Sequence, residues 1–596
     1  MSHYRSNLRD LEFNLFEVHR LQDYLGKGSF GDLDGEAARA VLVGLERLAA
    51  DEWAASFVSA DRTPLELEGS TVKLPDALQA SLRALREGGW DRFGLPPDLG
   101  GVEVPHLLFW ATQELLLGAN PTAVFYAGGG LFARVIFEEG TPDQQELARL
   151  MVERGWAGTM VLTEPDAGSD VGAGTTRAIE VDGNTYHLEG VKRFITGGEH
   201  DATDNIIHLV LARREGAGPG TKNLSLFIVP KYLINDDGSL GDRNGVTATN
   251  VEHKMGLKGS ATCELTFGAG RPAVGYLLGG VHDGIRQMFR VISHARMTIG
   301  TKSAATLSTG YLNALAYATA RIQGPDLARA NDREAPRIPI IHHPDVRRML
   351  MLQKAHAEGL RALWTYAAWT RDQADLHPED DLWARLTDLL LPLVKGYSSE
   401  KAYELLATSL QVLGGSGYLV DYPIEQYIRD AKIDSIYEGT TGIQALDLFF
   451  RKIVKDQGQT VAFLVSQIGE FVKATGDDDQ LASERERLGE MVDDTQAHLG
   501  AAVGYLFAAR ELSEEVYKAA LHLNSLLESL AETVIAWQLL RHAELALART
   551  DQDPFFAGKV ASARFFVRHV RPRIAARRGA AETEDGSLMN LPLDAF

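Results

Sequence analysis

Apolar residues recur at three- and four-residue spacing from Gly35 to Glu52 and again from Pro75 to Glu87, the period of helices that bury one face. Leu95-Pro96-Pro97-Asp98-Leu99-Gly100-Gly101 interrupts this pattern as a rigid loop, its prolines fixing φ and its glycines freeing it. Gly140-Thr141-Pro142-Asp143-Gln144-Gln145 reads as a helix start, with Thr141 as N-cap and Pro142 at the first helical position. From about Ala157 to Gly270 the pattern changes to short runs rich in β-branched and aromatic residues: Tyr186 to Ile195, Ile206 to Ala212, Leu224 to Val229 and Thr262 to Phe267. Clusters of Gly, Asn and Asp separate them, which predicts antiparallel strands. Long helical patterns return after about Gly284, over His294 to Arg321, Asp345 to Arg371 and Asp380 to Leu413. Arg321 to Pro339, with Gly, Pro and mixed charges, reads as a loop. More helix follows Gln457, broken at Gly476-Asp477-Asp478-Asp479. The chain is thus mainly α with an inserted β-domain.

With 596 residues the chain exceeds what one hydrophobic core covers, so several domains are expected. The pattern divides it into an N-terminal extension (1–35), a helical domain (36–156), a middle β-domain (157–275), a helical bundle (276–456) and an extra helical domain (457–596). A formal net charge of −21 favours solubility and repels nucleic acid or anionic lipid over most of the surface. Cys263 is the only cysteine, which excludes an intramolecular disulfide and a cysteine-built zinc site. Met1-Ser2-His3-Tyr4-Arg5 lacks the apolar core of a secretory signal. The uncharged run Leu115 to Ala133 approaches the length of a membrane span, but Asn120-Pro121 and Gly128-Gly129-Gly130 would break it. It reads instead as buried helix, turn and helix. The expectation is a soluble cytoplasmic protein without stable membrane insertion.

Tyr437-Glu438-Gly439-Thr440-Thr441, just after Arg429-Asp430-Ala431-Lys432-Ile433, places a carboxylate beside a glycine and two hydroxyls. Such a carboxylate can approach a ligand closely, which suits a base that removes a proton next to a carbonyl. A solvated turn is the plainer reading of the pentapeptide alone.

Three further segments, with this one, resemble the flavin-dependent acyl-CoA dehydrogenases over roughly residues 40 to 450. They are Val161-Leu162-Thr163-Glu164-Pro165-Asp166-Ala167-Gly168-Ser169-Asp170, Val191-Lys192-Arg193-Phe194-Ile195-Thr196-Gly197-Gly198 and Gln411-Val412-Leu413-Gly414-Gly415-Ser416-Gly417-Tyr418. The resemblance implies the family's architecture of helical domain, β-barrel and helical bundle, with FAD as cofactor. It implies that Thr163 and its neighbour Leu162 contact the isoalloxazine, with Ser169 near the coenzyme A portion of the substrate. Phe194 and Thr196 would lie against the flavin, although a strand aromatic is more often plain core. Gln411, Gly414 and Gly415 would hold the adenosine diphosphate half of FAD from a neighbouring subunit, or mark an ordinary glycine-rich helix end. Arg321 and Gln323 match an arginine and glutamine of the family, but Ile322-Gln323-Gly324 lacks its phenylalanine. Arg321 would suit the FAD pyrophosphate; a solvated arginine is the alternative. Thr440 matches a position that helps bind the adenine, and Gly442 stands where some relatives have glutamine.

The same resemblance implies α,β-dehydrogenation of an acyl-CoA thioester to a trans-2-enoyl-CoA. Glu438 would take the α-proton while the β-hydrogen leaves as hydride to flavin N5. The thioester oxygen would be polarised by the Glu438 N–H and a ribityl hydroxyl, with Glu438 and Gly439 lining the substrate. Some relatives carry the base at the position of Ala295, which cannot serve. Arg296 matches an arginine that organises the base, or is a helix-surface arginine; His294 beside it reads as structural. The expected partners are an electron-transfer flavoprotein and a second copy of the chain, a dimer being favoured, with no nucleic acid. An acyl-CoA oxidase using oxygen, or a catalytically silent flavoprotein that binds nucleic acid, are the competing functions. The extra domain resembles that of broad-chain fatty acyl-CoA and 3-methylthiopropanoyl-CoA dehydrogenases. Within it, Lys559, Arg564, Arg568, Arg571, Arg573, Arg577 and Arg578 form a segment without acids. That segment reads as a solvated face paired with acids elsewhere, ahead of a membrane-surface or nucleic-acid contact.

Overall fold

The computed structural model describes residues 2–31, 33–474 and 479–596. Its contacts divide the chain into two compact units. One takes the extreme N-terminus to Ser6 and Gly26–Ala295; the other takes Asn7–Leu25 and Arg296–Phe596.

In the first unit, helices α1 (Gly35–Leu48), α2 (Asp76–Glu87), α3 (His106–Ala119), α4 (Pro121–Ala127), α5 (Gly129–Glu139) and α6 (Pro142–Arg154) precede the strands of the β-domain. The uncharged run breaks into three helices rather than two. Asn120 accepts from the N–H groups of Thr122 and Ala123 at 3.1 and 3.4 Å and so starts the short α4. At α6, Thr141 is the N-cap and Pro142 is first in the helix, as the sequence reads, and Gln144 completes a reciprocal capping pair with Thr141.

The β-domain holds β1 (Ala157–Val161), β2 (Arg177–Asp182), β3 (Thr185–Thr196), β4 (Ile206–Arg214), β5 (Leu224–Pro230), β6 (Val246–Val251), β7 (Thr262–Phe267) and β8 (Ala273–Leu277). They run in the order β6-β7-β3-β8-β5-β4-β1, and β2 pairs with both β3 and β4, which closes a barrel. Most pairs are antiparallel, as the alternation predicts. Two are not: β1 and β2 each run parallel to β4. The hairpin β2–β3 lies between β1 and β4 in sequence and supplies the chain length that a parallel return requires. Every residue of β5 is buried, as is most of β4. Ile207, Leu209, Leu226 and Ile228 share a core with Leu95, Met151, Trp156 and Met288.

The second unit is helical: most of α7 (Gly284–Ala320), then α8 (Pro344–Leu376), α9 (Asp381–Leu413), α10 (Ile424–Ala431), α11 (Thr441–Leu446), α12 (Gln459–Lys473), α13 (Ala482–Ala508), α14 (Val516–Leu547) and α15 (Pro554–Glu582). Helix α7 starts ten residues before His294, because Met288 and Val291 are buried while Arg286 and Arg290 pair with Glu139. The stretch expected as a loop carries a small hairpin, β9 (Ile322–Pro325) against β10 (Arg337–Pro339). Gly324 at φ 68° and a bond from the Ile340 N–H to the Arg321 carbonyl (2.8 Å) allow it. The break expected at Gly476-Asp477-Asp478-Asp479 lies, except for Asp479, outside the described residues.

The basic segment of α15 does pair with acids. Arg568 meets Glu484 at 3.2 Å, Arg571 meets Glu490 at 2.7 Å, Arg577 meets Glu532 at 2.6 Å and Arg578 meets Asp494 at 3.1 Å. Lys559 departs from the solvated reading: it is buried against Asp10. Among the described residues, no helix is long and apolar enough to cross a membrane.

Candidate active site

The loop between α10 and α11 reverses the chain through two consecutive residues of positive φ, Glu438 at 56° and Gly439 at 87°. Glycine adopts this region freely, but for glutamate it costs about 1–2 kcal/mol, so the surroundings must hold it. The Gln444 side-chain amide donates to the Glu438 carbonyl at 2.9 Å and to the Gly439 carbonyl at 3.2 Å. A Cβ on Gly439 would be strained at its φ of 87° and would fall 2.8 Å from that amide nitrogen, displacing the amide that holds the loop. Thr440 is the N-cap of α11, its hydroxyl accepting from the Ile443 N–H.

Helices α7 and α9 bring charge to this loop. They meet closely at Gly300, where a Cβ would lie 2.2 Å from Val394 Cγ1. One residue beyond, Lys395 is wholly buried and its Nζ donates to the Gly439 carbonyl at 2.6 Å. Lys302 donates to both Asp434 oxygens at 2.7 and 2.6 Å and to the Asp430 carbonyl at 2.9 Å. Asp434 also accepts from the Tyr437 hydroxyl at 2.8 Å. Arg296 is not a surface arginine. It is buried, bound to Asp447 at 2.6 Å.

Burial pushes the Glu438 carboxyl up to about 7, against the lowering fields of Lys395 and Arg296. Burial likewise brings Lys395 down to about 8, with Asp434, Glu438 and Glu400 opposing. A carboxylate near 7 is poised for proton removal at neutral pH. It also leaves a signature in stability. The folded protein binds the Glu438 proton more tightly than the unfolded chain does, so stability falls as pH rises from about 4.5 to about 7 and is level above. At ~1.4 kcal/mol per tenfold in proton affinity, the penalty at pH 8 is on the order of 3 kcal/mol. Glu438→Gln is therefore expected to melt higher than the parent at pH 8 and to match it near pH 4.5. Equal melting temperatures at both pH values would contradict the raised value.

In the first unit, the stretch after β1 is anchored from beneath. Glu164 and Lys192 form a buried pair at 2.9 Å, and Lys192 also donates to the Leu162 carbonyl at 2.8 Å. Burial alone would raise Glu164, but Lys192 and the Thr175 and Thr176 N–H groups bring it down to about 2. The Arg193 N–H donates to the Thr163 carbonyl at 2.9 Å, which ties Thr163 to the end of β3. Phe194, next on β3, has φ 62° and is 56% exposed, with the Arg193 guanidinium 4.9 Å from its ring centre. The plain-core alternative for Phe194 is thereby overturned. Thr196 is half-buried at the strand end, and Ser169 is exposed.

Within the second unit, Arg321 and Gln323 are exposed on the β9 hairpin, and Gln411 is exposed at the end of α9. Gly414 ends that helix at φ 58°, and a Cβ on it or on Gly415 would meet nothing within 4 Å. The Tyr317 hydroxyl bonds Ser416 at 3.1 Å, joining this turn to the end of α7. His294 packs against Trp110 and Phe109 with ring centres 4.7 and 5.8 Å apart, as a structural histidine does. Sequence reasoning missed Lys395, Lys302, Asp434 and Gln444. A signal existed: Lys395 is the only charge from Leu389 to Ser399, and Lys302 the only one from Met297 to Ala320. A lone lysine inside so long an apolar helix must find a buried partner.

Comparison with known proteins identifies this arrangement. Over the full length of both chains, the sequence is 52% identical to a broad-specificity linear acyl-CoA dehydrogenase of Mycobacterium tuberculosis. The chain belongs to the acyl-CoA dehydrogenase family. Residues 159–269 match the middle domain of acyl-CoA dehydrogenases, residues 282–451 their C-terminal domain, and residues 464–592 an acetyl-CoA dehydrogenase C-terminal-like domain. A 3-methylmercaptopropionyl-CoA dehydrogenase of Ruegeria pomeroyi is 32% identical, covering 99% of this chain and 100% of its own. Among solved structures, an acyl-CoA dehydrogenase complexed with FAD from Bacillus anthracis superposes with a TM-score of 0.72 at 20% identity, covering 94% of this chain and 90% of that one. Glu438 and its two buried lysines thus belong to an acyl-CoA dehydrogenase fold, and FAD is the cofactor of the family.

Proposed function

We propose that the protein dehydrogenates an acyl-CoA thioester between Cα and Cβ, with Glu438 as the base that removes the α-proton. The observation that carries this reading is a carboxylate at positive φ, pinned through its own carbonyl and raised to about 7 by burial. Its backbone N–H would polarise the thioester oxygen, without which the α-proton is too weakly acidic for a carboxylate. Arg296, fixed by Asp447, and Lys395 favour the ionised carboxylate that the step requires.

The residues present fit FAD. Phe194 is an exposed aromatic held at positive φ, Gly414 and Gly415 leave open space for close approach, and Arg321 is an exposed guanidinium. Leu162, Thr163, Phe194 and Thr196 would hold the isoalloxazine, Ser169 the coenzyme A portion. Arg321, Gln323, Gln411, Gly414, Gly415 and Thr440 would hold the adenosine diphosphate half. When bound, FAD supplies the acceptor for the hydrogen that leaves Cβ with its electron pair. A homodimer suits this reading, because Tyr418 and Val420 beside the glycine turn are 84% and 62% exposed. An electron-transfer flavoprotein is the proposed oxidant, in keeping with relatives that are named as dehydrogenases.

The purified protein is expected to be yellow and to bleach under anaerobic mixing with acyl-CoAs of graded length and branching. A colourless protein, or one bleached by none of them, defeats the reading. Stoichiometric hydrogen peroxide in air would move the assignment from dehydrogenase to oxidase.

A further inference from the structure

Lys395 is a buried cation that stands outside the proton and hydride transfers themselves. It lies midway along α9, between Val394 and Gly396, with its side chain wholly buried. Its Nζ bond at 2.6 Å goes to the carbonyl of Gly439, the residue after the base. That acceptor is neutral. The other buried lysine of the site, Lys302, is held by both oxygens of Asp434, so its charge is matched. The charge of Lys395 is instead left to act on its surroundings, and a cation desolvated on an apolar helix acts strongly at short range.

The bond also does geometric work. Glu438 and Gly439 both have positive φ, and each of their carbonyls is anchored: that of Glu438 by Gln444, that of Gly439 by Gln444 and Lys395. Releasing either would let the loop relax toward ordinary dihedrals and swing the carboxylate. The charged and titratable groups around it come from several elements: Lys395 and Glu400 on α9, Arg296 on α7, Asp434 and Tyr437 on the loop itself.

We propose that Lys395 is a positioning residue for Glu438: its ammonium anchors the Gly439 carbonyl and sets the field in which the carboxylate works. The proposal rests on Glu438 being the base. Both effects of Lys395 converge on one group, since the cation lowers the proton affinity that burial raises.

The test uses the holoenzyme and its Lys395→Met, Lys395→Gln and Lys395→Arg variants. Anaerobic flavin reduction by a good acyl-CoA substrate is followed across pH 5–9. Lys395→Met is expected to move the acid limb of the rate upward by about one pH unit or more and to lower the plateau about tenfold or more. Half-saturating substrate should change by less than about threefold, since no substrate contact is lost. Lys395→Gln keeps a donor without charge and should recover plateau but not limb; Lys395→Arg keeps the charge and should restore the limb. A Lys395→Met or Lys395→Gln enzyme with the parent's limb and plateau overturns the proposal. So does equal loss in all three variants with the limb unmoved. If Lys395→Met does not fold, the Gln and Arg pair decides by the same criterion. Glu438→Gln separates the two levels: if it bleaches flavin as fast as the parent, the base assignment itself fails. If it is inactive while the Lys395 variants keep the parent's limb, only this inference falls.

Discussion

Glu438→Gln is expected to retain FAD yet reduce it roughly 10²–10⁴-fold more slowly with acyl-CoA, the range general-base catalysis contributes. The substitution is a narrow one. Glutamine matches glutamate in shape and accepts the same positive φ, and the bonds that fix the loop run to the carbonyls of residues 438 and 439, which the change leaves in place. What disappears is the ability to take a proton. In the parent, the rate should rise with pH through about 7, because the carboxyl is protonated below its raised value and ionised above it. Substrate that displaces water from the carboxylate would push this limb higher, not lower. The variant should show no such limb. Anaerobic stopped-flow at the flavin absorbance reads both quantities. A variant that bleaches at the parent's rate would move the base elsewhere. It could not move to Ala295 on α7, whose side chain has no proton acceptor.

The alternation of helical and strand periods was enough to place the β-domain between helical regions, and Thr141 and Pro142 gave the start of α6. These are local signals, carried by side chains that act on their own backbone. What the sequence did not show is carried across distance. The parallel pairs β1–β4 and β2–β4 depend on which strands meet, and periodicity is silent on that. The β9–β10 hairpin hid behind prolines, which read as loop until their place at the ends of the ladder is seen. Phe194 looked like core because aromatic strand residues usually are; its positive φ turns it outward, and φ is invisible in a one-letter code. Glu438, the proposed base, was legible through resemblance and a glycine neighbour. Its electrostatic setting was not, since Lys302 and Lys395 lie about 136 and 43 residues from Glu438 and announce themselves only as isolated charges in apolar helices. The segment at 1–35 looked like an extension, yet Asn7–Leu25 belongs with the second unit.

That last point carries the largest expected effect on stability. Asp10 is fully buried, with Arg361 donating to it at 2.5 Å and Lys559 against its other oxygen. Arg361 also reaches Ser308 at 3.1 Å, and Lys559 lies 3.5 Å from Glu358. Asp10→Asn would leave two buried cations around a neutral amide. Removing one partner of a buried ion pair costs about 3–5 kcal/mol, because the charge left behind stays desolvated. A fall of that size in the denaturant-derived unfolding energy is expected. The exposed pair Arg9–Asp553, 3.8 Å apart with both side chains nearly half exposed, provides the contrast: Arg9→Ala should change stability by less than about 1 kcal/mol. The pH dependence follows from the same geometry. Burial would raise the Asp10 carboxyl, but Lys559 and Arg361 overcome it and hold the group well below the ordinary carboxylate range. A depressed value means that the contribution is fully present above about pH 4 and is lost only as pH falls through the folded value. The gap between parent and Asp10→Asn should therefore stay constant from pH 8 to pH 5 and narrow only in strong acid. A gap below about 0.5 kcal/mol at neutral pH would mean that water or Glu358 compensates the two cations, and that residues 7–25 are not fastened to the second unit through Asp10.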